Sequence, residues 1–221
     1  MVLFFASAAL ASPLNPWGSA TPEGAAVLNP YVYVYPDAVN PIVYGSVGLN
    51  DRIDLFFGYG QYIPTGAAFN ASSVGTLEVF PRFFVAPQLA LAPHVYWTPG
   101  VDGVIAAPEA HLNLAAGPFS FIANAGWRPV ISSTGFSAGT VPVSLAPELK
   151  LGSWLSAYVE VDPTFSLVDD PVSLLVVPGF GVTLDPKARH TASVGLQIPV
   201  LPNDAPASLG FWYAYTHPAP K

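Results

Sequence analysis

The chain has 221 residues, of which 52% are hydrophobic and only 10% are charged, against roughly 25% charged in an ordinary soluble domain. This composition excludes a disordered chain, and the absence of cysteine excludes disulfide scaffolds and thiol catalysis. The net charge is −7, from 7 basic and 14 acidic residues. The chain therefore lacks the excess of basic residues that nucleic-acid binding requires, and nucleic acid is not expected as a partner.

The N-terminus is predicted to be a targeting remnant followed by a short segment outside the fold. Residues 1–11 are apolar and end in Ala9-Leu10-Ala11, the small-x-small pattern of a signal peptide cleavage site, although a frayed apolar terminus is the alternative. Residues 12–25 are predicted to be a periplasmic N-terminal segment.

From Ala26 the chain alternates between apolar and polar residues, with turn signals about every ten residues. No window resembles the roughly 20 apolar residues of a spanning helix, whereas the alternating runs match the roughly 9–11 residues of a tilted spanning strand. The predicted strands are 26–35, 41–49, 52–62, 74–85, 88–97, 103–114, 118–128, 141–151, 154–165, 172–184, 190–200 and 206–216. Since lipid admits only helices and closed barrels, we predict an all-β, transmembrane, antiparallel up-and-down β-barrel of about twelve strands over 26–216, with a tail at 217–221.

The predicted connections also alternate in length. Short turns around 50–52, 86–88, 115–118 and 152–153 alternate with longer connections, including loops at 63–73 and 129–140. Short periplasmic turns opposite longer extracellular loops are typical of outer-membrane barrels. An even strand number then places both termini on the periplasmic side.

The predicted strands segregate their side chains by face. On 74–85 the outward positions include Leu77, Val79 and Val85, whereas Glu78 and Arg82 point inward. Every charge within a predicted strand points inward in the same way, which is the reverse of a soluble barrel or sandwich. Five prolines inside strands fall on the outer face, where they are expected to mark bulges: Pro81, Pro93, Pro108, Pro147 and Pro178.

The last predicted strand carries a motif. Ser208, Gly210, Tyr213 and Tyr215 are spaced as in the terminal-strand signal of bacterial outer-membrane β-barrels, and six residues follow it here. Together with the face pattern and the alternation in loop length, this motif makes residues 26–216 resemble the porin-like class of bacterial outer-membrane β-barrels. The resemblance implies a location in the outer membrane of a Gram-negative bacterium, contact with its lipid, and recognition of these four residues by the barrel-assembly machinery.

Aromatic residues near several strand ends suggest the girdles of such barrels, with ordinary strand packing as the equal alternative. These are Tyr31, Tyr33, Tyr35, Tyr62, Trp97, Trp127, Trp154 and Trp212.

The inward polar residues are predicted to line a pore, with six acidic and three basic groups that give the lumen an acidic waist. They are Asp54, Glu78, Arg82, His94, Glu109, His111, Asn113, Asn124, Arg128, Glu148, Lys150, Glu160 and Asp162. We therefore predict a small porin-like channel for passive diffusion of small hydrophilic solutes or ions. The alternatives are a plugged structural or adhesion barrel, in which the charges pair across the lumen, and a soluble all-β ligand carrier.

An enzyme is not predicted, because no Ser or Thr nucleophile lies beside an oriented His on these faces. Glu109 and His111 share a face and are compatible with a metal-ligand pair, but a hydrogen-bonded lumen network is the favoured interpretation. No cofactor and no metal are expected from the sequence.

Overall fold

The computed structural model describes residues 20–65, 75–168, 172–185, 187, 190–202 and 206–218, and these form fourteen strand segments. The segments are β1 (Ala26–Val34), β2 (Ala38–Asn50), β3 (Ile53–Gly60), β4 (Ile63–Pro64), β5 (Thr76–Ala86), β6 (Leu89–Trp97), β7 (Val104–Ala116), β8 (Phe119–Gly126), β9 (Arg128–Ser132), β10 (Gly135–Lys150), β11 (Leu155–Ser166), β12 (Val172–Thr183), β13 (His190–Leu201) and β14 (Ser208–His217). Within these ranges, no helix has the length and apolar character needed to cross a membrane.

The strands form one closed ring. Each long strand pairs with its neighbours in antiparallel fashion, and β1 pairs with both β2 and β14. The two-residue β4 extends the sheet beside β2, and β9 continues β8 beyond Trp127 to pair with β7 and β10. With β4 and β9 counted as extensions, the described residues form the predicted up-and-down barrel of twelve strands.

The two ends of the barrel can be told apart by their turns. We call the lower rim the end that holds the turns at 51–52, 87–88, 117–118 and 151–154, together with the start of β1 and the end of β14. The upper rim holds the turns at 35–37, 98–103 and 133–134. Both ends of the described barrel therefore lie at the lower rim, which corresponds to the predicted periplasmic side.

The predicted loop at 129–140 is wrong, because this part of the chain is a tight hairpin. β9 ends at Ser132, two residues turn, and β10 begins at Gly135. The amide and hydroxyl of Ser133 donate hydrogen bonds to the Asp102 carboxylate of the neighbouring turn, and these bonds lower the pKa of that carboxyl. Most of the other predicted loop, 63–73, lies outside the described residues.

The hairpin contains a β-bulge at Gly139. The register between β9 and β10 shifts between Ser137 and Thr140, and Gly139 has a φ of +66°. A Cβ at this position would overlap the carbonyl oxygen of Arg128 on the paired strand. Glycine is therefore required both by the left-handed backbone and by the close approach of the two strands.

Burial confirms the predicted inside-out segregation of side chains. On β5, Val79 and Val85 are 52% and 61% exposed, whereas Glu78 and Arg82 are 3% and 0% exposed. The same alternation continues around the ring: large apolar side chains on every barrel strand are exposed, and most polar side chains between them are buried or partly buried. The outer wall is an apolar belt of the kind that faces hydrocarbon.

Three of the five prolines lie at one level of adjacent strands. Pro93 faces Pro108 across β6 and β7, and the ladder between β5 and β6 is interrupted between Val79 and Phe83, where Pro81 lies. The amide donors missing at Pro81, Pro93 and Pro108 therefore lie at one level of three adjacent strands, whereas Pro147 and Pro178 lie on β10 and β12. The register shifts in the described ladders lie elsewhere, so the expectation of bulges at these prolines is wrong.

Candidate functional site: the barrel lumen

A buried ion pair lies in the lumen near the lower rim. The Arg82 guanidinium donates from Nε to one oxygen of Asp54 at 2.9 Å and from Nη2 to the other at 2.6 Å, and both side chains are fully buried. The guanidinium also lies 4.3 Å from the ring centroid of Phe56 and 5.0 Å from that of Phe84. Two-point bonding and two aromatic faces hold the cation in one orientation.

The segment before β1 lies against the inner wall beside this pair. The Thr21 amide donates to the Asp54 carboxylate at 2.9 Å, and the Thr21 hydroxyl is 2.8 Å from that of Ser46. Glu23 forms a parallel bridge with Gly48, whose missing side chain leaves room for the backbone of residues 21 and 22. Residues 20–25, predicted as part of a periplasmic segment, thus occupy part of the lumen at its lower rim.

A second cluster of charged groups lies farther from the rim, on β5, β6, β7 and β9. His94 Nδ1 is 2.5 Å from Glu78 Oε1, and its Nε2 is 3.6 Å from Glu109 Oε2. His111 Nε2 is 3.5 Å from the same Glu109 oxygen. Arg128 Nη2 donates to the other oxygen of Glu109 at 3.0 Å.

Aromatic side chains fill the lumen between these groups and the opposite wall. Phe56 and Phe80 stack with centroids 5.1 Å apart, and the Trp212 ring meets Tyr33 edge-on at 5.7 Å. Tyr158 meets Trp212 from the other side at 6.4 Å. The whole buried cluster, which we call the aromatic core, contains Tyr31, Tyr33, Ile42, Tyr44, Phe56, Phe80, Ala92, Tyr158, Val177 and Trp212.

Glycines on the inner wall make room for the largest of these rings. A Cβ at Gly179 would collide with the Tyr158 ring, and one at Gly210 would collide with the Trp212 indole. Because these glycines lie on β12 and β14, the aromatic core extends across the lumen from the wall of β3 and β5.

The remaining part of the lumen, on β8, β10 and β11, is polar. Ser120 donates to Glu148 at 2.7 Å, and Ser144 donates to Glu160 at 2.9 Å. A recess of about 770 Å³ opens at the lower rim beside these strands. Its polar lining includes Glu148, Lys150, Ser156, Thr183, Asp185 and Thr191.

The structure places all the predicted pore-lining residues on the inner side of the strands or at a rim, with different exposure. Seven are buried: Asp54, Glu78, Arg82, His94, His111, Arg128 and Glu160. Five are partly buried: Glu109, Asn113, Asn124, Glu148 and Asp162. Lys150 is exposed at the lower rim. Their part in permeation stays a prediction.

The aromatic girdle was predicted correctly for only some residues. Trp97 and Trp127 are 48% and 40% exposed on the outer wall, and Trp154 is 61% exposed in the turn at the lower rim. Tyr33 and Trp212 are instead buried in the aromatic core, as is Tyr31. Strand alternation could have revealed the inward position of Trp212, because it assigns Trp212 and Gly210 to the same face. A glycine at 210 leaves room on that face for a large side chain such as the Trp212 indole.

The motif of the terminal strand lies on β14, which closes the ring against β1. Ser208 and Gly210 are buried on the inner face, where the Ser208 hydroxyl donates to Gln197. Tyr213 and Tyr215 are partly exposed nearer the lower rim, and the Tyr213 hydroxyl is 2.6 Å from His190 Nδ1.

Solved structures of outer-membrane porins and channels are similar to this chain. A KdgM porin in complex with disordered oligogalacturonate has a TM-score of 0.62 and 8% identity, over 86% of this chain and 98% of that one. An outer membrane channel from Pseudomonas putida F1 has a TM-score of 0.57 and 13% identity, over 94% and 100%. The NanC porin has a TM-score of 0.59 and 9% identity, over 86% and 98%. No protein-family model matches the chain, and no curated protein matches it.

The chain thus has the fold of the porin-like outer-membrane β-barrels, as the sequence resemblance implied. At identities of 8–13% this likeness establishes the fold alone, and the function rests on the lumen itself.

Proposed function

We propose that the protein is an outer-membrane channel through which small hydrophilic solutes or ions diffuse passively. The observation that carries this proposal is the segregation of side chains: a continuous apolar belt outside, and the charged strand residues inside. A wall of this kind suits a barrel with lipid around it and polar contents within it.

The proposed path runs along the polar part of the lumen. Asn113, Asn124, Glu148 and Asp162 are partly exposed there, on β7, β8, β10 and β11, and the recess at the lower rim leads to Lys150. The aromatic core and the ion pair of Arg82 occupy the other part, so the path is narrow and off-centre.

Ion pairs in the lumen neutralise some of the carboxylates that were predicted to form the acidic waist. Arg82 pairs with Asp54 and Arg128 pairs with Glu109, so these two carboxylates are offset by cations. The Glu148 carboxylate, which lines the recess in the polar part, remains to attract cations. We expect a modest preference for cations.

Planar-bilayer recording of the purified, folded protein tests this function. Wild-type protein is expected to give step currents, with a reversal potential in a salt gradient that indicates cation preference. Glu148→Gln should lower that preference. Asp37→Asn, which removes an exposed charge from the upper-rim turn, should leave it unchanged. Step currents that are absent at every salt concentration would contradict the channel.

A plugged structural or adhesion barrel is the second candidate, and the aromatic core is the observation that favours it. Its rings reach across the lumen from several strands, which would suit a barrel that anchors and does not transport. Folded protein with heat-modifiable gel mobility and no conductance would establish this alternative.

We also propose that the protein lies in the bacterial outer membrane and is inserted by the barrel-assembly machinery through β14. The position of Ser208, Gly210, Tyr213 and Tyr215 on the strand that closes the ring supports this. In cell fractionation, Tyr215→Ala should reduce the protein in the outer-membrane fraction. Tyr62→Ala, which removes a tyrosine near the upper rim, should not.

A further inference from the structure

Three potential metal ligands converge on one point of the lumen wall. Glu109 and His111 are two residues apart on β7, so both face inward. The register pairs them with Ala92 and Ala90 of β6, and it pairs His94 of β6 with Ala107. His94 therefore lies diagonally across from Glu109 on the same inner face, and two hydrogen-bonded strands fix the spacing of all three.

The distances between these groups suit a shared ion better than hydrogen bonds. His94 Nε2 and His111 Nε2 lie 3.6 and 3.5 Å from Glu109 Oε2, which is beyond the usual hydrogen-bond range. Ligand atoms at the corners of a tetrahedral zinc site are about 3.4 Å apart, given bonds of about 2.0–2.1 Å. Donor atoms of all three residues lie within 4.8 Å of one another.

Surrounding side chains hold the ligands in this orientation. Glu78 Oε1 contacts His94 Nδ1 at 2.5 Å, which directs Nε2 toward Glu109, and Tyr44 donates to the other Glu78 oxygen at 2.8 Å. The Phe80 ring stacks on the His94 imidazole with centroids 3.5 Å apart. A carboxylate behind a ligating histidine is the common support of a metal site.

The electrostatic environment also favours a cation. Arg128 binds Oε1 of Glu109 and leaves Oε2 directed toward the two imidazoles. With neutral imidazoles, Glu78, Glu109 and Arg128 together carry one net negative charge, and the three ligands have side chains no more than 8% exposed. A divalent ion would meet a net attraction in a largely dehydrated place.

We propose that His94, Glu109 and His111 bind one divalent transition-metal ion in the lumen, with Zn²⁺ as the representative ion. Two imidazoles and one carboxylate suit zinc and its first-row neighbours, whereas Ca²⁺ and Mg²⁺ take oxygen ligands. Three protein ligands leave a further position for water or a passing solute. Because the ion would join β6 and β7, binding would stabilise the folded barrel. The sequence alone predicted no metal, since Glu-x-His lacks the third ligand that strand pairing supplies.

Metal uptake by the folded, detergent-solubilised protein tests the site. After equilibration with Zn²⁺ and dialysis, wild-type protein should retain one equivalent by elemental analysis, and Ca²⁺ treated in the same way should not be retained. Co²⁺ in place of Zn²⁺ should give the visible absorption of a four-coordinate site. His94→Ala and His111→Ala should abolish retention. His217→Ala, which removes an exposed histidine at the end of β14, should retain a full equivalent.

Two further variants separate loss of a ligand from loss of the fold. His111→Gln preserves much of the side-chain volume and should still lose the metal, while heat-modifiable mobility reports that the barrel is intact. Glu78→Gln keeps all three ligands and should weaken Zn²⁺ binding by about 10–100-fold, as outer-shell changes do. Zn²⁺ should raise the urea midpoint of wild-type protein and leave that of His111→Gln unchanged. Wild-type protein without stoichiometric metal, or histidine variants that retain as much as wild type, would overturn the site.

Discussion

At the scale of single residues, the buried arginines of the lumen, Arg82 and Arg128, each pair with a carboxylate. Arg82 is the largest fully buried side chain of the described residues, and it is compensated by two bonds to Asp54 and by two aromatic faces. A buried charge that loses its partner costs far more than the intact pair contributes. Asp54 also accepts the Thr21 amide, so it connects β3, β5 and the segment before β1.

Asp54→Asn is expected to destabilise the barrel by about 3–5 kcal/mol, because it leaves the Arg82 guanidinium buried without its counter-charge. The measurement is urea unfolding in lipid vesicles, followed by tryptophan fluorescence. Asp51→Asn removes the same charge from the exposed turn at the lower rim and should change the free energy of unfolding by less than about 0.5 kcal/mol. Equal stability of the two variants would show that the buried pair has no such role.

The inward position of these residues could be predicted from the sequence, whereas their partners could not. Alternation assigns Asp54 and Arg82 to the inner face whatever the register is. That Asp54 lies opposite Arg82, or His94 diagonal to Glu109, depends on strand register, which single-strand patterns leave open. The sequence did not predict the aromatic core, because an aromatic residue near a strand end is compatible both with an outer girdle and with packing inside the lumen.

At the scale of elements, the hairpin of β9 and β10 shows how a tertiary contact overrides a local signal. Ser132, Ser133 and Thr134 suggest a long polar loop in the sequence, but the Asp102 carboxylate binds Ser133 and closes the turn. Asp102 lies 31 residues earlier in the chain, so no local pattern could reveal it. Most other strands agree with their predicted ranges to within a few residues, because their alternation is long and regular.

Gly139→Ala should destabilise the barrel by about 1–3 kcal/mol, since the left-handed backbone and the contact with the Arg128 carbonyl both resist a side chain. Gly152→Ala is the matched control, because a Cβ at Gly152 meets nothing within 4 Å. Urea unfolding of both variants measures the difference. If Gly139→Ala were as stable as Gly152→Ala, the bulge would not constrain this hairpin.

At the scale of the whole molecule, the fold is defined by which face meets lipid. Val159 in the middle of β11 and Val172 at the start of β12 are both 42% exposed on the outer wall. They differ mainly in their distance from the upper rim. In a bilayer this difference in depth decides the cost of a charge, whereas in water it would not.

Val159→Arg is therefore expected to destabilise the barrel in lipid vesicles by about 2–4 kcal/mol, and Val172→Arg by about 0–1 kcal/mol. Reversible urea unfolding in vesicles gives both values. Similar small changes for the two variants would indicate that water, not hydrocarbon, surrounds β11, and would contradict the membrane-spanning assignment.

The pairing of the first and last strands, β1 and β14, makes barrel closure measurable by tryptophan fluorescence. The Trp212 indole on β14 is 4% exposed and donates to the Tyr33 hydroxyl on β1, 179 residues away in the chain. That indole acquires its final surroundings only when the two ends of the sheet meet. In a variant whose other tryptophans are replaced by phenylalanine, the fluorescence of Trp212 therefore reports on barrel closure. The time at which its emission changes during folding measures when β1 and β14 pair.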